Sequence, residues 1–486
     1  MSYLLLILPL LTALLCAFLK KKTTLGAVNV LGGMAIALAG LFLAGQVFKN
    51  GPASLLGRYI YIDALSAFII SIISVIGLLT AIFSLGYLSK DVEEREIEAG
   101  RLKWYYFWFY IFIFTMFCVV MAGNMGIMWV SIEATTLASA LLVGFYDKKS
   151  SLEAAWKYII ICTVGIIFAL FGTILLHYAA VSVTGESLSL DWLSIVENAE
   201  KLDPKLLKLA FVFALVGYGT KAGLAPMHTW LPDAHSQAPA PVSAILSGVL
   251  LNCALYGILR FHLIAVKPLG MFSHDLLLFF GLISILIAMP FIIAQHDLKR
   301  LLAYSSIEHM GLITFAVGIG SKPALYGAFL HMLNHAFTKS FLFFGAGNIT
   351  QYFRSKKIGK IKGAIKAMPR SGLAFFIGAF AIAGLPPFSI FLSEFIIFSA
   401  GFSAGRIWHS GLVLIFVSLI FTGIIYAAGK IVLGDPPGRI QETERRQWTS
   451  MVFLILLVPM TVLGFYIPAF VDQVLLEVVA VMAGGN

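Results

Sequence analysis

Charged residues are scarce in this chain of 486 residues, because Asp, Glu, Lys and Arg together make up only 12% of it. Hydrophobic residues make up 60%, and the mean hydropathy is +0.93. A soluble globular domain has about 25% charged residues, so this composition excludes a water-soluble protein. The sequence therefore predicts an all-α polytopic membrane protein.

Cysteine is also rare, and motifs for bound cofactors are absent. The four cysteines lie singly in apolar segments, without the CxxC or Cys/His spacings of metal sites. We interpret them as small buried apolar residues. The sequence contains no GxGxxG, P-loop or haem-attachment motif. We therefore expect no cofactor and no metal, and any redox chemistry would belong to a partner subunit rather than to this chain.

Long apolar runs follow one another along the chain, separated by short polar connections. A helix needs about 20 apolar residues to cross the hydrocarbon core, and this criterion predicts about fourteen transmembrane helices. They lie near residues 2–19, 25–46, 62–88, 105–122, 124–145, 156–182, 206–229, 242–265, 273–295, 301–320, 324–350, 371–400, 408–433 and 450–472.

Positive charge is distributed unevenly among these connections, and this bias predicts the orientation of the chain. The odd-numbered connections contain 21 Lys and Arg residues, and the even-numbered connections contain eight. The count of eight includes Lys208, which lies at the edge of a predicted span. The positive-inside rule then places the odd-numbered connections in the cytoplasm and both termini outside the cell membrane. The net charge of +10 thus reflects topology and the lipid bilayer. We expect no nucleic-acid partner.

Four ionisable residues nevertheless lie at membrane depth: Glu133, Lys221, Lys339 and Glu394. Each costs about 2.5 to 3.5 kcal/mol at the centre of a span. Four such costs are comparable to the whole stability of a typical domain, so chance is a poor explanation. We interpret the set as a hydrated ion pathway, since buried carboxylates and amines are typical of proton relays. Structural pairing between helices remains an alternative for each single residue.

Histidines extend this set. His331, His335 and Lys339 are spaced by four residues, so each step along a helix climbs about 6 Å and rotates about 40°. They predict a proton wire, to which His309 of the preceding span would contribute. Adjacent residues of a helix point about 100° apart, so we expect only one of Glu308 and His309 to face this interior surface. We favour His309, with Glu308 as its neighbour in a hydrated cavity. A metal at the histidine pair is an alternative, but no carboxylate or cysteine lies on the ribbon to complete it.

A short string occurs twice, as AGLAP from Ala222 and as AGLPP from Ala383. Helices interrupted at matching places are typical of transporters with internal repeats. Five predicted spans lie in each half, and an odd number forces the halves into opposite orientations. We therefore predict four segments: a three-helix segment 1–104, inverted five-helix repeats 105–265 and 266–433, and a C-terminal helix 434–486. A chance match of two short strings is the alternative.

Five strings together resemble the antiporter-like subunits shared by respiratory complex I, the multi-subunit cation/proton antiporters and the energy-converting membrane hydrogenases. They are IEATTLASALLVGF, KAGLAPMHTWLPDAHSQAPAPVSAILSG, DLKRLLAYSSIEHMG, HMLNHAFTKSFLFFGAGNI and AGLPPFSIFLSEF. The resemblance implies fourteen helices, two inverted five-helix repeats, broken helices 7 and 12, and both termini outside. These implied features agree with the count made from the apolar runs.

The resemblance also implies roles for single residues. Glu133 and Lys221 match a glutamate and lysine pair that modulates proton uptake, so movement of the carboxylate would switch the lysine between holding and releasing a proton. Lys339 and Glu394 match ionisable residues of the eleventh and twelfth helices, and would pass the proton to the other side. Asn252 stands where many relatives have a lysine, so water or histidines would bridge there. The combination is most similar to component F of hydrogenase-4 and formate hydrogenlyase-type complexes.

The sequence thus predicts a proton-translocating, antiporter-like subunit of a redox-driven ion pump, such as a membrane-bound NiFe hydrogenase or a related complex-I-like complex. Its partners would be related antiporter-like subunits and a hydrogenase or quinone-type peripheral module. Three alternatives remain: a sodium/proton antiporter subunit without redox coupling, a membrane subunit of an inorganic-carbon uptake complex, and a scaffold that only anchors hydrogenase modules.

Overall fold

The structure is a computed structural model that describes residues 2–437 and 447–484, and helices dominate it. The helices are α1 (Ser2–Phe18), α2 (Lys22–Asn50), α3 (Ala64–Glu93), α4 (Leu102–Met121), α5 (Met125–Val143), α6 (Lys149–Thr184), α7 (Trp192–Glu197), α8 (Pro204–Ala222), α9 (Trp230–Gln237), α10 (Ala240–Ile245), α11 (Leu251–Leu269), α12 (Met271–Ile293), α13 (Leu298–Ile319), α14 (Lys322–Phe353), α15 (Ala364–Ala367), α16 (Pro369–Ile382), α17 (Ser389–Ser403), α18 (Ile407–Val432), α19 (Gln447–Phe465) and α20 (Ala469–Met482). Strands β1 (Ala53–Leu55) and β2 (Ile60–Ile62) form one antiparallel hairpin, in which Ser54 pairs with Tyr61.

Polar side chains define where several long helices begin. Asp63, Asn124, Asp203, Asp297 and Ser321 each precede a helix and accept a hydrogen bond from a backbone N–H of its first turn. Such caps satisfy N–H groups that have no partner within the helix. The residues at which these apolar helices begin are therefore determined by the local sequence.

Nine helices in the described part of the chain are long and apolar enough to cross a membrane, or ten if the bent pair α19 and α20 counts as one. Three more apolar helices, α1, α16 and α17, are shorter. The predicted membrane class is confirmed, whereas the predicted number of fourteen spans remains a prediction. The segment for which one C-terminal helix was predicted contains α19 and α20, which meet at 76°.

The helices differ in how much of their surface lies inside the protein. The segment from α10 to α11 and helix α13 are buried on all sides, whereas in α2, α6, α12 and α18 only 33–39% of the most apolar stretch is buried. Apolar side chains on the outer helices match lipid tails, so their exposure carries no cost in a bilayer. Polar side chains on α11 and α13 are therefore held within protein, away from lipid.

Two interruptions occur where AGLxP is found, as the sequence indicated. Residues 223–229 separate α8 from α9, and residues 383–388 separate α16 from α17. Gly223 and Gly384 have φ angles of 78° and 76°, a conformation that glycine adopts without a Cβ clash. The prolines that follow cannot continue a helix, because they lack the backbone N–H.

Candidate ion pathway

Lys221 lies in the last turn of α8, directly before the first interruption, and its side chain is fully buried. The ammonium donates a hydrogen bond to Thr136 Oγ1 of α5 at 2.9 Å and another to the Tyr158 hydroxyl of α6. It also lies over the rings of Tyr158 and Trp230, at 4.5 and 5.9 Å. Hydroxyl oxygens and aromatic faces thus solvate the cation where water is scarce.

Glu133 of α5 is half-buried and is connected to Lys221 through a hydroxyl. Its carboxylate accepts hydrogen bonds from Thr136 at 3.2 Å and from Thr163 at 2.8 Å. Thr136 therefore accepts from Lys221 and donates to Glu133. No carboxylate lies within 4.0 Å of the Lys221 ammonium in the described residues, so the expected pair is bridged rather than direct.

Polar groups continue from there towards the second half of the chain. Asn252 is fully buried on α11, shortly after a π-helical turn at Leu246–Leu250. Its Nδ2 donates to the Gly248 carbonyl at 3.0 Å, while its Oδ1 has no partner among the described residues. Within the π turn, Ser247 Oγ lies 2.7 Å from Ser306 Oγ of α13. π-Helical turns are frequent at functional sites, and this one brings a hydroxyl to α13.

Lys339 of α14 is also fully buried, and it faces α13. Its ammonium donates to the Leu302 carbonyl at 2.9 Å and to the Ser305 hydroxyl. Glu308, further along α13, is also buried. In this structure Lys339 therefore contacts α13, and the predicted transfer to Glu394 requires intervening groups.

Those intervening groups are histidines. His309 Nδ1 lies 2.9 Å from His331 Nε2, and His331 Nδ1 lies 3.0 Å from Ser393 Oγ of α17. The His335 ring centroid is 5.4 Å from that of His309. Glu308 Oε2 is 3.2 Å from His309 Nε2, so the expectation that only one of these neighbours faces the interior was wrong. The reason is that α13 is surrounded by protein, so the side chains of both Glu308 and His309 are buried although they point in different directions.

Glu394 of α17 completes this cluster. One of its carboxylate oxygens and the ring nitrogens of His309 and His331 lie within 4.8 Å of one another. The carboxylate that the sequence pattern lacked for a metal site is therefore supplied by another helix, and two histidines with a glutamate are a donor set that zinc accepts. The two imidazole nitrogens already share a hydrogen bond, however, so a metal could enter only by breaking it. As arranged, the cluster is suited to share protons.

Glu394 also borders a cavity of about 600 Å³ between α17 and α18. Gly384 of the second interruption packs against the carboxylate so closely that a Cβ at this position would overlap it. The walls of the cavity are mainly apolar, with phenylalanine side chains from both helices. The interruption thus provides room for a carboxylate at the end of the histidine cluster.

Of the eight residues predicted for the pathway, all except Asn252 take part in the contacts described above, around Lys221, Lys339 or His309. Asn252 bonds to a carbonyl four residues earlier in the same segment. The hydroxyl groups near these residues were missed. They are Thr136, Tyr158, Thr163, Ser247, Ser305, Ser306 and Ser393. A weak signal existed, since Thr136 follows Glu133 by one helical turn and Ser393 directly precedes Glu394. A further buried pair, Arg260 with Asp63 at 2.6 Å, was also missed.

Comparison with known protein families and relatives gives a consistent result. Residues 122–422 match the family model described as NADH:quinone oxidoreductase/Mrp antiporter, TM, and residues 58–95 match that of the NADH-ubiquinone oxidoreductase (complex I), chain 5 N-terminus. A hydrogenase-4 component F homolog from Methylacidiphilum infernorum (isolate V4) is 40% identical over 419 residues, which are 84% of this chain and 85% of that protein. NADH-quinone oxidoreductase subunit N from Desulforudis audaxviator (strain MP104C) is 30% identical over 475 residues, or 94% and 90% of the two chains.

Two solved structures share the fold along nearly the whole chain. One is a chain of the membrane-bound sulfane sulfur reductase, an archaeal respiratory membrane complex, with a TM-score of 0.87, 24% identity and 99% of each chain covered. The other belongs to the Mrp complex from Dietzia sp. DQ12-45-1b, with a TM-score of 0.81, 18% identity and coverage of 99% and 97%. At these identities the likeness concerns the fold alone.

Proposed function

The chain belongs to the family of antiporter-like membrane subunits found in complex I, Mrp antiporters and related hydrogenases, and on this basis we propose that it translocates protons for a redox-driven pump. One observation carries the proposal. Lys221 and Lys339 are both fully buried, and their ammonium groups are held by neutral oxygen atoms, with no carboxylate within 4.0 Å among the described residues. A structural lysine at this depth would be expected to pair with a carboxylate. A lysine solvated by hydroxyls and carbonyls can release its proton without leaving a charged partner unpaired.

The proposed route has two parts joined by serines. A shift of Glu133 relative to Thr136 alters the field at Lys221 and releases its proton towards Asn252. Hydroxyl groups on the π turn and on α13 then lead to Lys339. Hydroxyls can both donate and accept, so a row of them can transfer protons with the help of water.

From Lys339 the route continues along α14 and ends at α17. His335 lies one turn from Lys339, and its ring is close to that of His309. His309 and His331 share a hydrogen bond, and both approach Glu394. Imidazole accepts a proton on one nitrogen and releases one from the other, so this cluster can pass a proton between helices.

The membrane arrangement is part of the proposal. We infer about fourteen spans, with inverted repeats at 105–265 and 266–433, a three-helix segment before them and residues 434–486 after them. Support comes from the matching interruptions in α8/α9 and α16/α17 and from the bias of positive charge. In this arrangement both termini lie outside the cell membrane.

The partner we propose is a NiFe hydrogenase module, with other antiporter-like subunits beside the chain. The support is the 40% identity to a hydrogenase-4 component F homolog. Membership of a sodium/proton antiporter is the second candidate, because one component of the Na(+)/H(+) antiporter of Alkalihalophilus pseudofirmus is 33% identical over 358 residues. The chain covers 42% of that protein's length, so this likeness concerns one part of it.

Measurements on inverted membrane vesicles that contain the complete complex distinguish a hydrogenase-driven proton pump from a sodium/proton antiporter. We expect hydrogen oxidation by an added acceptor to acidify the vesicle interior, and a protonophore to abolish the gradient while sodium removal leaves it intact. The variant Glu133→Gln should oxidise hydrogen but lose most acidification. The matched control is Glu153→Gln, which neutralises an exposed carboxylate paired with Lys157 at 2.7 Å. A sodium-driven pH change without any hydrogenase activity would favour the antiporter, and normal acidification by Glu133→Gln would contradict the pathway.

A further inference from the structure

A polar cavity of about 220 Å³ lies outside the pathway described above, at the end of the molecule that the charge bias predicts to be cytoplasmic. We call it the vestibule; its walls come from α3, the connection after α5, the end of α9, α13 and α14. Almost every side chain in the walls is polar, and they include Asp91, Tyr146, Gln237, Lys299 and Gln351. A wall of this composition favours water over lipid.

Asp91 is the buried carboxylate of the vestibule, with 3% of its surface exposed. Its two oxygens accept hydrogen bonds from the Tyr146 hydroxyl at 2.8 Å and from Gln351 Nε2 at 2.6 Å. No Lys or Arg side chain lies within 4.0 Å of this carboxylate in residues 2–437 and 447–484. The neighbouring Glu94 and Glu96 differ, since both take part in ion pairs at the rim. Asp91 is thus held by neutral donors and is free to take up a proton.

Two basic side chains lie between the vestibule and the interior. Lys299 lines the vestibule with 3% of its surface exposed, and its ammonium donates to the Ala238 carbonyl at 2.5 Å. His235 is fully buried beyond it, and neither of its ring nitrogens has a hydrogen-bond partner among the described residues. The carbonyl that Lys299 binds belongs to Ala238, three residues after His235. The imidazole packs on Phe343, one helical turn from Lys339 on α14. His235 therefore stands between the vestibule and the second lysine of the pathway.

Helix α14 links the same two places. Gln351, which binds Asp91, lies twelve residues after Lys339, and this separation corresponds to about 18 Å along the helix axis. Phe343 lies between them, with its ring centroid 5.4 Å from that of His235. His235 of α9 therefore contacts α14 at a position between Lys339 and Gln351, one turn from the lysine.

We propose that the vestibule is the proton inlet of the second half of the pathway, in which Asp91 accepts protons from water and Lys299 and His235 deliver them to Lys339. The inference rests on the proposed function and adds an inlet to it. In each turnover the carboxylate takes one proton from hydronium and leaves water. The Lys299 ammonium gives a proton to His235, and the resulting neutral amine takes the proton from Asp91, so the carboxylate and the ammonium are both restored. His235 then accepts a proton at one ring nitrogen and releases one from the other, so the imidazole returns to its neutral state.

The test is Asp91→Asn in the complete complex, measured in vesicles by hydrogen-driven acidification together with hydrogen oxidation. The amide oxygen can still accept from Gln351 and the amide NH2 can donate to the Tyr146 hydroxyl, but the side chain cannot be ionised. We therefore expect the acidification contributed by this chain to fall at least about tenfold. Asp91→Glu should retain most of it. The matched control Asp147→Asn removes an exposed carboxylate at the same end, where it pairs with Arg101 at 3.5 Å, and should acidify normally.

A second pair of variants keeps the inference testable if Asp91→Asn fails to assemble. His235→Leu should lose acidification, whereas His296→Leu, at an exposed histidine of the same end, should keep it. If both Asp91→Asn and His235→Leu acidify normally while Lys339→Met is inactive, the proposed inlet is wrong. The proposed pathway through Lys339 is then still supported. Normal acidification by Lys339→Met as well would contradict the proposed function itself.

Discussion

Lys221 of α8 and Lys339 of α14 are both fully buried, but different groups surround them. The Lys221 ammonium is enclosed by two hydroxyls and two aromatic rings, with Glu133 one threonine away. The Lys339 ammonium contacts a backbone carbonyl and a serine of α13, and histidines follow it. Aromatic faces stabilise the charged form of a lysine, whereas imidazoles can accept and release protons. The difference indicates that release from Lys221 depends on the nearby Glu133, whereas release from Lys339 would depend on the histidines that follow it.

The largest expected effect follows from removing the second lysine. Lys339→Met keeps the length of the side chain but removes its proton, so we expect hydrogen-driven acidification to fall to the level contributed by the other subunits. Lys322→Met, an exposed position in the first turn of the same helix, should acidify normally. Full activity of Lys339→Met would mean that the second half works without its lysine, and the comparison would fail.

Breaking the histidine cluster should have the next largest effect. His331 is bonded to both His309 and Ser393, so His331→Leu removes two links at once. Positioned proton transfer by a side chain contributes about 10²- to 10⁴-fold, and we expect a loss of at least about tenfold. Stopped-flow measurements of vesicle acidification would measure it, with the exposed His409 changed to Leu as the control. An unchanged rate would place the proton route elsewhere.

The Thr136 hydroxyl connects Lys221 with Glu133, and two threonine variants can test this connection. Thr136→Val removes the group that contacts both Lys221 and Glu133, whereas Thr163→Val removes a contact of Glu133 alone. A hydrogen bond to a charged group is worth about 1.5 to 3 kcal/mol, so Thr136→Val should slow acidification about tenfold or more. Thr163→Val should slow it less. Equal effects of the two variants would show that Thr136 acts only as a neighbour of Glu133.

The smallest effect is expected at Asn252, between the two lysines. Its amide donates one hydrogen bond to the Gly248 carbonyl, and a neutral hydrogen bond is worth about 0.5 to 1.5 kcal/mol. Asn252→Leu should therefore slow acidification only about two- to tenfold, measured in the same vesicles. A complete loss would contradict the view that serines and water carry protons across this region.

The features that the sequence predicted well are local ones. Both interruptions follow from Gly and Pro residues within a few positions, and the buried charges follow from the cost of a single side chain in lipid. The burial of both Glu308 and His309 was not predicted, because the burial of α13 on all sides depends on helices distant in the chain. The bridge between Lys221, Thr136 and Tyr158 could not be predicted, since its members are 85 and 63 residues apart from the lysine.

The central claim is that Lys221 carries the translocated proton, and the number of protons moved per hydrogen molecule oxidised tests it most directly. Vesicles with Lys221→Met should oxidise hydrogen while this ratio falls to the value contributed by the other subunits. Vesicles with Lys208→Met, at an exposed position of the same helix, should keep the full ratio. An unchanged ratio in Lys221→Met vesicles, with the chain present in normal amount, would contradict the account.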